Sequence, residues 1–530
     1  MIREDTLTSA DLALIDGNIL TMNAAQPYAE AVAIKDGRIL KVGSNEEISK
    51  LVGKDTKVIY LKGQTVIPGF IDTHIHVADF GKILTWVELS NIKSIKEMQT
   101  ILKKRVENTP KGKWVIGRGW DQACFVEQRL PTRFDLDVVS PDNPVIFYHK
   151  LGQMCVVNTK ALEAASITQW TIAPFGGVID KDEVTGELTG ILRENATSLV
   201  WKAIPEPSEE ELVEAAELAC KKIMEAGVTS VHWIVLSAAE LSVMQRLLEQ
   251  KRLPLRVYVI IPVNLLDYMA HFKSTDNFAL KVGGVMIAAD GYLAAKTAAL
   301  FQPYNDSFEA NGKLLCTVEE MKAAASEILK MGLQLVIHAM GDRAVDAALA
   351  AIEQISKETP RKLRRIRIEH AALLNEELVN RIKNQEVIIS VQPLVIASEF
   401  SVWSAIEHLG IERAKWLYPL KTLLKNGVRV IGGSDCPMEP LNPLMGIQAA
   451  VAREVFPEEQ VTVDEALRMY TIDAAYSACE ENLKGSIETG KLADLIVLSH
   501  DPRKIQPTEI ADINVEMTII GGKIVYSKIK

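Results

Sequence analysis

No uncharged apolar run in this chain is long enough to cross a bilayer. Met1-Ile2-Arg3-Glu4-Asp5 leads into polar residues rather than the apolar core of a secretion signal. Cysteine is scarce: the six, at 124, 155, 220, 316, 436 and 479, show no Cys-x-x-Cys spacing and no dense framework, which fits a reducing compartment. A basic excess is missing too. The net charge of −10 argues against a nucleic-acid polymer as partner, because phosphate binding needs clustered Lys and Arg. The one basic cluster, Arg361-Lys362-Leu363-Arg364-Arg365-Ile366-Arg367, reads as a solvated helix end. These absences lead to the expectation of a soluble, cytoplasmic protein that acts on a small molecule, with no nucleic acid and no membrane as partner.

What is present is material for a large core, with 48% of the 530 residues hydrophobic. Both ends read as short strands with turn punctuation. Ala10–Met22 is apolar around Asp16-Gly17, Ala31–Val42 around Asp36-Gly37, and Val515–Val525 around Gly521-Gly522, with a further strand at Leu492–Leu498. Asp-Gly between apolar runs is a strong hairpin signal. The economical expectation is one β-sandwich built from 1–66 and 487–530, with the rest of the chain inserted. Ile39, Val42 and the C-terminal strands offer an edge for a homodimer, although nothing selects a dimer over a monomer.

The middle alternates. Strand-like runs fall at Val66–Ile71, Val228–Trp233, Leu255–Ile261, Val285–Ala289, Gln334–Ile337, Ile366–Glu369, Val387–Val391 and Val428–Ile431, with amphipathic stretches such as Glu209–Ala226, Val318–Met331 and Ala344–Ser356 between several of them. Strands alternating with helices imply a parallel sheet, and eight such units imply an α/β class (β/α)8 TIM barrel over 67–486. An open doubly wound sheet is the competing architecture, but no Gly-x-Gly-x-x-Gly stands between a strand and a helix. The long gap after the first strand predicts an insertion subdomain over 86–225, covering the barrel mouth.

Four of the predicted strands end in residues of metal-ligand type. The first runs into His74 and His76, which share one face because side chains alternate along a strand. The fifth ends at His338, the sixth at His370 and the eighth at Asp435. Barrel active sites are built at the C-terminal ends of the strands, so these five residues are expected to converge on one metal site. Only nine histidines exist in the chain, which makes four at strand ends a poor accident. A divalent metal acidifies a water and polarises a carbonyl. Asp435 is positioned to take that water's proton and pass it to a leaving amine.

Pro68–His76, Ile337–Ala344, Arg367–Ala371 and Gly433–Pro437 together resemble the metal-dependent amidohydrolase superfamily, and within it the branch of N-substituted formamide deformylases and YtcJ/AepA-like proteins. Gly117–Gln122 (Gly-Arg-Gly-Trp-Asp-Gln), Val157-Asn158, Asp290-Gly291 with Lys296-Thr297-Ala298, and Tyr304 are further marks of that branch. The resemblance implies that His74 and His76 bind the more buried metal, that His338 and His370 complete the ligand set, and that Asp435 ligates or stands beside the attacking water. It implies hydrolysis of a C–N bond, most simply an amide or N-formyl/N-acyl amine. The alternative is deamination of an amino-substituted N-heterocycle. Deaminase relatives tend to place a glutamate shortly after the strand-five histidine, and here Ala339-Met340-Gly341-Asp342 follows His338.

Two positions depart from the pattern. Met286 stands where relatives often have a bridging lysine, and a thioether does not bridge hard dications. One metal, zinc, is therefore expected, with a second as the alternative. Gln153 stands where relatives tend to show histidine. Trp120, Gln153, Glu194 and Lys296 are the candidate substrate contacts. His232, Cys436, Asp342, Arg193, Trp114 and Phe125 have structural readings at least as good as functional ones. Arg193 and Glu194 in particular could be an ordinary ion pair.

Overall fold

The computed structural model describes residues 9–271, 278–307, 309–358 and 365–528. Of the features above, Met1–Asp5 and Arg361–Arg364 fall outside these residues. The chain divides into two compact units, one of 1–80 with 216–530 and one of 81–215.

In the first unit eight parallel strands lie side by side in chain order: β1 (Phe70–Ile75), β2 (Val228–Ile234), β3 (Arg256–Pro262), β4 (Leu280–Ala288), β5 (Gln334–Ala339), β6 (Arg367–His370), β7 (Ile388–Val391) and β8 (Val430–Gly432). This is a nearly closed TIM-like α/β barrel. Helices Glu209–Glu225, Val318–Lys330 and Asp342–Glu358 fall on the predicted amphipathic stretches. Val318–Lys330 starts at a capping box of Thr317 and Glu320, which satisfies orphan N–H groups of its first turn.

The first predicted strand is corrected. Val66–Ile71 is not one strand but parts of two. Thr65–Pro68 belongs to a sheet made by the chain termini, and β1 to the barrel. Gly69 is the joint between them: a Cβ there would lie 2.2 Å from Cγ2 of the buried Thr229. Periodicity could not show the break, because both halves are buried.

Strands β8 and β1 close the barrel beyond their ends. The Asp435 N–H donates to the His74 carbonyl at 2.8 Å, and the His76 N–H donates to the Cys436 carbonyl at 2.9 Å. The Ser434 N–H donates to Asp72 Oδ1 at 3.0 Å. Gly433 sits inside this seam, where an added Cβ would be 2.6 Å from the His74 amide nitrogen.

The termini form two sheets. One has four strands: Arg38–Gly43, Ala31–Lys35, Leu12–Ile15 and Lys57–Tyr60. The other has six: Lys523–Ser527, Val515–Ile520, Leu495–Leu498, Thr65–Pro68, Asn18–Leu20 and Tyr28–Ala29. One apolar cluster takes Leu12, Val32 and Ile34 from the first and Ile19, Val66, Leu495 and Ile519 from the second. The Asp36-Gly37 and Gly521-Gly522 hairpins pair as their sequences lead one to expect. Asp16-Gly17 is different: the strands flanking it enter different sheets, so it carries the chain between layers and is no hairpin. The side chains of Ile39 and Val42 lie in the shared core, and their strand, Arg38–Gly43, is an edge of the four-stranded sheet. Arg256 at the foot of β3 forms a buried ion pair with Asp494, its Nη2 donating to Oδ1 at 2.8 Å, and so ties the barrel to the C-terminal strand.

The basic cluster is also corrected where it is described. Arg367 is fully buried in β6, and Arg365 pairs with Glu481 at 2.6 Å while stacking on Tyr476.

The unit 81–215 is a mixed six-stranded sheet in the order Gly177–Lys181, Leu188–Glu194, Met154–Val157, Val145–His149, Val115–Trp120, Val87–Glu88. Two apolar clusters pack in it, one around Trp120, Phe125 and Phe147 and one around Ile146, Leu162 and Leu192. Among the described residues no helix is long and apolar enough to cross a membrane.

The seam gives a stability test. Gly433→Ala should destabilise the protein by roughly 1–3 kcal/mol, because the new methyl meets backbone rather than a movable side chain. A denaturant midpoint indistinguishable from wild type would show that the seam can open at no cost.

Candidate metal centre

Alternation on β1 sends Asp72, His74 and His76 to one side. Asp72 Oδ1 accepts from the His74 N–H at 3.1 Å and from Ser434, so it buttresses the loop that presents Asp435. His74 Nε2 lies 3.4 Å, and His76 Nε2 3.3 Å, from Asp435 Oδ1. The ring centroids of His74 and His370 are 5.0 Å apart, and those of His338 and His370 are 4.7 Å apart. Ligand-type atoms of His74, His370 and Asp435 all lie within 4.8 Å of one another.

Two of these residues leave the strand pattern to get there. Glu369 and His370 are neighbours on β6 and would ordinarily face opposite ways. His370 and Ala371 have φ of +66° and +45°, and Asp435 has φ of +58°. Left-handed backbone is costly for residues with a Cβ, and it persists only where the surroundings impose it. Here it re-aims an imidazole and a carboxylate.

Beneath His74 is a fully buried chain of polar groups. His74 Nδ1 donates to Glu369 Oε2 at 2.7 Å. Arg367 Nε donates to Glu369 Oε1 at 2.8 Å, and Arg367 Nη1 lies 2.7 Å from His232 Nδ1. Arg367 Nη2 donates to the Thr73 carbonyl at 2.9 Å and to Ser390 Oγ at 3.2 Å. Burial would push the Glu369 carboxyl up, but Arg367 and then His74 hold it at about 2, so it stays ionised. An ionised Glu369 holds the His74 Nδ1–H inward, so that Nε2 is the nitrogen left to take up a proton or a cation.

The surroundings want a cation at this point. Burial pushes His74 down, yet Asp435 first and Glu369 second raise it to about 10. Two carboxylates therefore stabilise positive charge where Nε2 points. Burial and the neighbouring imidazoles drive His370 down to about 3, which makes it a neutral donor. Among the described residues, Nδ1 of His76 and of His370 are buried without a hydrogen-bond partner. His338 Nε2 lies 3.2 Å from the Gly291 carbonyl, which can only accept, so Nδ1 carries the lone pair. Burial lowers His338 as well. The two imidazoles and one carboxylate whose ligand atoms cluster here are donors of the kind a borderline dication takes.

Strand β4 adds no bridging ligand. Met286 packs against the apolar barrel interior of Ile234, Tyr258, Ile260 and Val336. Lys281, lower on the same strand, donates to the Ala478 carbonyl at 2.9 Å and lies over the Tyr258 ring.

The remaining candidates sit as follows. Trp120 is fully buried in the 81–215 unit, its Nε1 donating to the Phe147 carbonyl at 2.8 Å, so its ring is spent on packing. Gln153 and Glu194 are exposed on the same unit, where the Glu194 N–H donates to the Gln153 carbonyl at 2.7 Å. Arg193 pairs with Asp180 at 2.6 Å rather than with Glu194. Lys296 is held by Asp306, which also takes His408 Nδ1 at 2.9 Å. Asp342 Oδ1 accepts from the N–H groups of Phe301 and Arg343 and serves loop structure. His232 is a hydrogen-bonded core residue. Cys436 is buried.

Sequence reasoning quoted Glu369, Arg367 and Asp290 within its motifs but gave none of them a role. Asp290 accepts from the N–H groups of Met340, Gly341 and Ala299 and so fixes the loops after β4 and β5 that frame His338. A signal for the first two existed. Arg-x-Glu on a buried strand puts opposite charges on one face, and such a pair demands a function or a partner.

A parallel barrel with polar groups gathered at the C-terminal strand ends is the arrangement on which barrel enzymes build their active sites. The chain belongs to the amidohydrolase family, whose pattern matches residues 57–526. It is similar to YtcJ of Bacillus subtilis (strain 168), provisionally named an amidohydrolase, at 34% identity over 527 residues, which is 97% of this chain and 98% of that protein. It is 29% identical over 544 residues to the N-substituted formamide deformylase of Arthrobacter pascens, covering 98% of each. A crystal structure of an uncharacterized metal-dependent hydrolase from Pyrococcus furiosus superimposes with a TM-score of 0.77 at 33% identity, over 93% of this chain and 100% of that one. The protein is thus an enzyme that hydrolyses C–N bonds with a divalent metal.

Glu369→Gln should weaken zinc binding by about 10–100-fold in competition with a chelator, since it removes the charge that orients His74. Unchanged affinity would show that His74 is oriented without Glu369.

Proposed function

We propose that the protein hydrolyses an amide, most simply an N-formyl or N-acyl amine, with zinc held by His74, His76, His338, His370 and Asp435. The observation that carries this reading is the placing of Asp435. Its Oδ1 stands between the Nε2 atoms of His74 and His76, and its backbone is in the left-handed region that aims it there.

A dication held by these side chains supplies the positive charge that acidifies a water and polarises an acyl carbonyl. The protein's own residues do the rest. Asp435 lends Oδ1 to the imidazole side and keeps Oδ2 as the proton carrier. Beside the imidazoles of His74 and His76 its carboxyl is held below the usual carboxylate range although burial would raise it, so it rests ionised, can accept a proton from water at Oδ2, and gives that proton up again. The recipient is the nitrogen of the departing amine, a poor leaving group until protonated. Glu369 and Arg367 keep His74 from turning while this happens.

The Arthrobacter pascens relative, similar over its full length and named for deformylating N-substituted formamides, supports this substrate class. Deamination of an N-heterocycle is the weaker reading. After His338 come Ala339, Met340 and Gly341, and the next carboxylate, Asp342, is committed to the N–H groups of Phe301 and Arg343.

Zinc-loaded protein should release free amine together with matching carboxylate from a pool of N-formyl amines and N-acyl amines. Ammonia alone from amino-substituted heterocycles would overturn the reading. Asp435→Asn should lower kcat by about 10²–10⁴-fold while metal content, measured by mass spectrometry, stays near wild type. Near-normal turnover in that variant would remove Asp435 as the proton carrier.

A further inference from the structure

The Gly-Arg-Gly-Trp motif at 117–120 finds no part in the chemistry above, yet it helps to form a cavity of about 480 Å³ in the unit 81–215. Its floor is a row across three neighbouring strands, Val87–Glu88, Val115–Trp120 and Val145–His149, in which Glu88 stands opposite Arg118 and Arg118 opposite Tyr148. Trp86 and Trp201 flank Tyr148. The Trp86 and Tyr148 rings are 6.2 Å apart with planes at 20°, and Trp201 lies 6.1 Å and 6.3 Å from them, edge-on to both. Trp201 is 48% exposed, which is unusual for so large an apolar ring.

The polar groups of this cavity are sorted by kind. Its acceptors are spent. Glu88 Oε1 takes the Leu89 N–H at 3.1 Å, the Ser90 N–H at 2.9 Å and Ser90 Oγ at 2.5 Å, and Oε2 lies 3.8 Å from Arg118 Nε. Gly119 permits this fold-back, because a Cβ there would be 2.7 Å from Glu88 Oε1. Lys150 is tied to Asp121 at 2.5 Å. The donors are not spent. Among the described residues the Arg118 guanidinium makes no hydrogen bond, its one charge partner being the distant Glu88 oxygen, and Tyr148 Oη and the indole N–H groups of Trp86 and Trp201 make none either. None of the protein's described cations lies over these three rings.

Aromatic walls select a flat apolar body, and unspent donors select acceptor atoms on its edge. A guanidinium with a free planar fork matches a carboxylate in particular. We infer that the unit 81–215 binds a flat aromatic carboxylate, stacked among Trp86, Tyr148 and Trp201 and held at its charged end by Arg118.

Calorimetric titration of the full-length, zinc-loaded protein with naphthalene-2-carboxylate, 2-naphthamide and cyclohexanecarboxylate tests this. Naphthalene-2-carboxylate should bind at least tenfold more tightly than the other two. Trp201→Ala should weaken it about tenfold or more, and Arg118→Gln should abolish the preference for carboxylate over amide. Both side chains are solvent-exposed, and a thermal melt checks that each variant folds; if Trp201→Ala does not, Arg118→Gln alone decides. Absence of saturable binding, equal binding of the non-planar acid, or affinity unchanged in Arg118→Gln, as binding at the metal centre would give, overturns the inference.

Discussion

His74 is held between two carboxylates that want different things from it. Glu369, fully buried and ionised because Arg367 lies against it, takes the Nδ1 proton at 2.7 Å. Asp435 faces the other nitrogen across 3.4 Å. A buried charge of this kind survives only with a partner, and leaving one member unpaired would cost several kcal/mol. The Arg367–Glu369 pair therefore constrains strands β1, β2, β6 and β7 together, through Thr73, His232 and Ser390, and through them the direction in which the first imidazole of the site looks.

The same economy shapes the barrel seam. Where β8 and β1 fail to form a ladder, the backbone of 434–436 bonds to β1 and its extension instead, and the residue so delivered is Asp435. Closure of the barrel and placement of the proposed proton carrier are thus one arrangement. Gly433 is needed for both, since only a residue without a Cβ lets the two chains approach.

Membership of the amidohydrolase family settles the class of chemistry, and this chain's own residues sharpen it. Met286 and the engaged Lys281 leave β4 without a bridging ligand, which favours a single metal. Asp342 is absorbed into loop structure, its Oδ1 accepting from the N–H groups of Phe301 and Arg343. The aromatic cavity in 81–215 is built from a different logic, of three rings and unspent donors.

Seven of the eight barrel strands, their order and the polar residues at the strand ends were legible in the sequence, because a buried strand must be an apolar run and a polar residue interrupts it at the mouth. Hairpins at Asp36-Gly37 and Gly521-Gly522 were legible for the same local reason, as φ is positive at all four turn residues. Three things were decided only by tertiary structure. The split of 65–75 between two sheets turns on Gly69 meeting Thr229, residues 160 positions apart with no local mark of the encounter. The role of Glu369 depends on Arg367 and His74 arriving beside it, so Arg367, which pattern reading places in a solvated basic cluster, is with Glu369 the most buried part of the site. His370 reaches that site through a left-handed backbone that strand alternation forbids, a cost imposed by packing and invisible in a linear pattern.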